Sequence, residues 1–93
     1  MFYEPRKKDH GFAHNPINAI VAPRPIGWIS SRSATGKLNL APFPYFNLMS
    51  HHPPVVIFMA DAWKDTMMNI QATKDFVCNI ATLDLLQPMV LTS

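Results

Sequence analysis

A mainly β fold, built as a partly open antiparallel barrel with one helix near residues 65–73, is what this sequence predicts. Three observations carry that prediction. Prolines at 16, 23, 25, 42, 44, 53 and 54 exclude a long helix from that stretch, because each removes a backbone donor and its ring clashes with the preceding turn. Short β-branched and aromatic runs separated by turn residues fill the same stretch and resume after residue 75. Between them, only the segment opening at Lys64-Asp65-Thr66 combines a capping residue with apolar residues at helical spacing.

Taken in order, residues 1–15 read as an N-terminal arm. Residues 17–22 and 26–31 are β-favouring runs divided by Pro23-Arg24-Pro25, the pattern of a strand edge or bulge. A turn at 33–37 leads into 38–46, which runs back as an antiparallel partner. The tandem Pro53-Pro54 starts the longest apolar run, 55–60, whose lack of alternation predicts a central strand covered on both faces. In the helix, Asp65 is the expected N-cap, and Met67, Met68, Ile70 and Ala72 the expected buried stripe. Residues 76–81 form the next strand. The end of the chain has neither a helix C-cap nor a polar tail, so it is expected to stop inside a structural unit. No internal repeat or low-complexity segment interrupts this plan.

The 93 residues make a single domain, and 48% hydrophobic with 15% charged residues is too apolar for disorder and too interrupted for a membrane span. The net charge of +2 is modest. Its one basic cluster, Arg6-Lys7-Lys8, reads as a solvated arm rather than a nucleic-acid contact. The first residues lack the apolar core of a signal peptide, and one cysteine, Cys78, makes no internal disulfide. A reducing, cytoplasmic location is the expectation.

Several groups of residues are candidates for chemistry. Ser30, Ser31 and Arg32 end a strand, and hydroxyl and guanidinium donors are what phosphate oxygens accept from most strongly. By residue type alone this is also ordinary turn composition. Lys64 and Thr66 stand at a helix N-terminus, whose unpaired N–H groups attract anions, although plain capping explains them too. Residues 39–47 set two prolines among three aromatic rings, which suits either core packing or a flat ring system lying on exposed main chain. His10 and His14 are four apart and His51-His52 adjacent, but neighbours on a strand point to opposite faces and no Cys or carboxylate stands at a ligand spacing, so no metal is expected. Cys78, among apolar residues, reads as a buried inert thiol. No hydrolytic triad, phosphate-binding glycine loop or dinucleotide fingerprint is present.

In combination these segments stand in a recognisable order. The series runs Ala22-Pro23-Arg24-Pro25-Ile26-Gly27-Trp28-Ile29-Ser30-Ser31, Gly36, Asn39-Leu40-Ala41-Pro42-Phe43, Phe46-Asn47, Ser50, Pro53-Pro54, Lys64-Asp65-Thr66, Asn69-Ile70 and Phe76-Val77-Cys78-Asn79. From about Asn15 to Leu83 it resembles the flavin reductase family with the FMN-binding split-barrel fold, in its flavoredoxin-like branch. The resemblance implies a homodimeric barrel of Greek-key antiparallel strands. It also implies non-covalent FMN, with NAD(P)H as the usual electron donor and no side-chain nucleophile. By position, Ser30, Ser31 and Arg32 would face the ribityl phosphate, with Lys64 and Thr66 beside it. Asn39, Ala41, Pro42 and Phe43 would line the isoalloxazine, largely through main-chain atoms, and Ser50 would close the pocket.

The sequence departs from that pattern in two ways. Pro44 replaces a serine common in this branch, deleting a hydroxyl and an N–H. The chain also matches only the N-terminal half of the family domain, so with strand edges and apolar faces uncovered it is expected to associate, to swap elements with a second copy, or to be a fragment of a longer protein. Two readings follow: an FMN-dependent oxidoreductase, or a non-catalytic split-barrel fragment serving as a binding or assembly module.

Overall fold

The computed structural model describes residues 4–7, 11–14 and 16–93. Among these residues, five strands form two antiparallel sheets. Strands β1 (Gly27–Arg32), β2 (Leu38–Phe43) and β5 (Val77–Asn79) make one sheet in the order β2-β1-β5, while β3 (Phe46–His51) and β4 (Pro54–Phe58) make a separate ribbon. The expected partly open antiparallel architecture is therefore present. Its central strand is β1.

That position follows from composition. Trp28 and Ile29 are buried, Ile29 at 0% exposure, and they place their neighbours in register: Gly27 opposite Phe43, Ser31 opposite Asn39, and Trp28 opposite Asn79. The return from β1 to β2 is a turn at 33–37 in which Gly36 takes φ 90°, a conformation open to glycine because it has no Cβ. The N–H of Ser33 donates to Lys37 O and that of Gly36 to Ser33 O, both at 2.9 Å. The two sheets are joined by aromatic rings. Phe43 of β2 packs on Phe58 of β4 at 5.0 Å between centroids, and Phe58 packs edge-on to Phe76, just before β5, at 5.3 Å.

Helix α2 (Asp65–Thr73) lies over β1 and β2, and it corrects the expected apolar stripe. The buried residues are Thr66 and Asn69, whereas Met68 is exposed and Met67 and Ile70 are half-buried. Polar groups win this face because the strands beneath present polar partners: Asn39 Nδ2 donates to Thr66 Oγ1 at 2.9 Å, and Asn69 Nδ2 to Ser31 Oγ at 3.1 Å. Nor is Asp65 the N-cap. Lys64 holds that position in an extended conformation without a side-chain cap, and Asp65 is the first helical residue. The left-handed C-cap is Lys74, at φ 64°.

Other expectations are also corrected. Residues 17–22 are not a strand but contain a four-residue helix, α1 (Ile17–Ile20), because Pro16 begins its first turn and Arg24 caps its end through the carbonyls of Asn18 and Val21. The expected strand 38–46 breaks at Pro44-Tyr45 into β2 and β3. Strand β4 is not covered on both faces: it pairs with β3 alone, and Val55 and Ile57 are 45% and 51% exposed. An uninterrupted apolar run is equally compatible with a strand whose faces await partners. Cys78 is exposed rather than buried. The final residues form a short helix, α3 (Leu86–Leu91), after a 3-10 turn at Leu83–Leu85, and Trp28 Nε1 donates to Thr92 Oγ1 at 3.0 Å to anchor it.

The arm contributes a 3-10 turn, Pro5–Lys7, with a Lys7–Glu4 ion pair of 3.0 Å. Lys8, of the basic cluster, and His10 lie outside the described residues.

Candidate functional site

Among the described residues strand β2 is the edge of its sheet, so main-chain groups on its outer side have no strand partner there. Pro42 within it lacks an N–H, which an edge tolerates. The hydrogen bond from Asn39 to Thr66 draws the N-terminus of α2 against this edge. The result is a cleft of about 370 Å³ lined by Asn39, Ala41, Lys64, Asp65, Thr66 and Thr92. Four of the expected residues, Asn39, Ala41, Lys64 and Thr66, therefore come together here. Thr66 itself is 1% exposed, so its hydroxyl holds Asn39 in place instead of facing the opening.

A second cleft, about 240 Å³, lies at the far end of β1 between Ser30, Ser31, Arg32, Leu38, Asp75 and Phe76. Three more of the expected residues meet in it. Ser31 is buried and accepts from Asn69, Ser30 is half-buried and accepts from Asn79 Nδ2 at 3.1 Å, and Arg32 is exposed. Ser31 stands opposite Asn39 in the register, so the two clefts meet across one cross-strand pair.

Pro42 and Phe43 line a third cleft with Lys64, and the Phe43 ring itself is committed to Phe58 in the core. Ser50 is not brought to this edge. It lies half-buried on β3, opposite Val55, next to an irregularity at Leu48/Ser50 where Met49 is extra. Among the described residues no group of three His, Cys, Asp or Glu could hold a metal ion, and the rings of His51 and His52 are 6.4 Å apart at the end of the β3–β4 ribbon. No helix among them is long and apolar enough to cross a membrane.

Two residues that hold the site together were not predicted to do so. Asn69 donates to Ser31, and Asn79 to both Ser30 Oγ and the Trp28 carbonyl. A signal for Asn69 exists: Thr66, Asn69 and Thr73 recur at helical spacing, and that polar stripe matches the polar pair Ser31 and Asn39 across the strands.

Known proteins share this arrangement. The model of the flavin reductase like domain matches residues 21–89. An uncharacterised protein of Aquifex aeolicus is 34% identical over 97 residues, covering 99% of this chain and 50% of that protein. One from Deinococcus radiodurans is 40% identical over 86 residues, covering 83% of this chain and 38% of that protein. Nitrilotriacetate monooxygenase component B from Bacillus cereus superimposes with a TM-score of 0.85 at 25% identity, over 99% of this chain and 49% of that one. The chain thus spans half or less of the length of these relatives. With the family model matched over most of its residues, the chain belongs to the flavin reductase like domain family.

Proposed function

We propose that this chain binds FMN along the β2 edge and serves an oxidoreductase that passes electrons from NAD(P)H to the flavin. The observation that carries this reading is the cleft beside the Asn39–Thr66 bond, where an edge strand, a lysine and a helix N-terminus converge. Its volume of about 370 Å³ falls within the roughly 300–1,000 Å³ usual for small-molecule sites. The donor set suits the ligand: main-chain groups at a strand edge match the polar rim of a flat ring, and cations match a phosphate.

In this reading Asn39, Ala41, Pro42 and Phe43 orient the ring, mostly through backbone atoms. Arg32 presents its guanidinium fork to the phosphate. Ser31 and Thr66, 6% and 1% exposed, position rather than bind: their hydroxyls accept from Asn69 and Asn39 beneath the helix. The carboxylate of Asp65, in the first helical turn, opposes an anion at that helix end and leaves the phosphate to Arg32. FMN, when bound, supplies the hydride-accepting chemistry, and the chain supplies orientation and electrostatics.

A second reading, a non-catalytic binding or assembly module, is favoured by one observation: Leu48, Met49, Val55, Val56 and Ile57 leave the β3–β4 ribbon apolar and exposed. Titrating FMN into the purified chain while following flavin fluorescence and sedimentation separates the two. Saturable uptake of one FMN per chain is expected. A folded chain that takes up none would leave the module as the function.

A further inference from the structure

Arg24 lies between α1 and β1 and lines the third cleft described above, where no role has yet been given to it. Its Nη1 donates to the carbonyls of Asn18, at 2.6 Å, and Val21, at 2.7 Å. The guanidinium lies over the Tyr45 ring, 4.9 Å from the centroid, and the Tyr45 hydroxyl in turn donates to Asn18 Oδ1. The side chain is therefore immobilised on two sides. Its Nε and Nη2 donors have no partner among the described residues, and no described carboxylate pairs with it.

This half-buried fork lines that third cleft, of about 200 Å³, with Asn18, Tyr45, Asp61 and Lys64, and with Pro42 and Phe43 shared with the ring site. Two cations against one carboxylate leave the cleft one positive charge in excess. A fixed guanidinium with free N–H groups is preorganised for a phosphate oxygen, since the entropy of holding it has already been lost. The volume is below that of a whole small-molecule site, about 300 Å³ or more, so the cleft suits one group of a larger ligand. Lys64 lines both this cleft and the larger one beside Asn39, and so joins them.

We propose that Arg24, assisted by Lys64, forms a phosphate-recognising subsite for the diphosphate of the dinucleotide electron donor. The assignment to the donor rests on the flavin reading above. In that reading the flavin phosphate is at Arg32, on the opposite end of β1, a six-residue strand about 17 Å long at roughly 3.3 Å per residue. An anion held at Arg24 then lies beyond the ring end of the flavin, on the side from which a reduced nicotinamide would approach.

Inorganic pyrophosphate is the first probe, with the Arg24 Nε–H and Lys64 resonances followed by NMR. Saturable shifts of both are expected, and their absence overturns the subsite whether or not flavin binds. If pyrophosphate shifts Arg24 while the chain takes up no flavin, the subsite stands and the flavin reading falls.

The second arm measures dissociation constants of reduced dinucleotide, FMN and riboflavin for the native chain, Arg24→Gln and Arg24→Lys, with circular dichroism to verify folding. Arg24→Gln should weaken the dinucleotide about tenfold, Arg24→Lys less, with the FMN-to-riboflavin ratio unchanged. Should Arg24→Gln fail to fold, the lysine variant, which keeps the charge and loses the fork, carries the comparison. A loss that falls on FMN and spares both riboflavin and the dinucleotide overturns the assignment to the donor.

Discussion

Asn69 carries more of this site than its chemistry suggests. Buried at 8% exposure, it donates to the equally hidden hydroxyl of Ser31, and Thr73 Oγ1 returns a bond to its backbone carbonyl at 2.9 Å. Replacing it with alanine strands Ser31 Oγ beneath the helix, so Asn69→Ala should lower stability by about 1–3 kcal/mol. Urea unfolding measures that loss, and a change within error would mean that water replaces the amide. Arg32 differs in kind, because it is exposed and engaged by no described residue. Arg32→Ala should leave stability unchanged and weaken FMN about tenfold through its phosphate, with riboflavin barely affected. Equal losses for both ligands would remove Arg32 from the phosphate. At this scale the sequence was informative about residue type and silent about role. Ser31 and Thr66 were legible as hydroxyls near an anion, but their burial under Asn69 and beside Asn39 depends on how a helix lands on a sheet, which no local pattern encodes.

Among the elements, β1 shows how much one glycine decides. A Cβ built on Gly27 would stand 2.4 Å from Cδ2 of Phe46, the first residue of β3, so the ribbon approaches the sheet only because that position is empty. Gly27→Ala must push the Phe46 ring aside, and a cost of about 1–3 kcal/mol is expected from such overpacking. Thermal unfolding checks it; the double variant with Phe46→Leu should recover part of the loss. The elements themselves were largely readable: β1, β2, β5 and α2 fall where proline spacing and apolar runs put them. The misreadings share a cause. Residues 17–20 have β propensity yet coil into one helical turn, because Pro16 starts it and a side chain six residues beyond Asn18 caps it. The run 55–58 has the composition of a central strand and the surroundings of an edge.

For the whole molecule, the exposed apolar ribbon and the binding site lead to separate expectations. We expect the chain to dimerise through the β3–β4 face, so that Ile57→Lys shifts sedimentation toward monomer; unchanged sedimentation would assign self-association to another surface. A bound flavin should also stabilise the fold. At a hundred times its dissociation constant FMN adds about 2.7 kcal/mol, a rise in melting temperature on the order of 10 °C for a chain of this size. Differential scanning with FMN and with riboflavin reads that rise, and its absence would mean that the cleft does not hold the cofactor.

The indole hydrogen bond from Trp28 to Thr92 spans 64 residues. Contacts of such sequence separation are slow to form, because roughly two-thirds of the chain must be looped before they are rewarded. Trp28 is buried, whereas the other tryptophan, Trp63, is 68% exposed. The molecule thus carries its own optical probe: in refolding, the blue shift of the Trp28 emission reports the burial of β1, against a nearly constant background from Trp63.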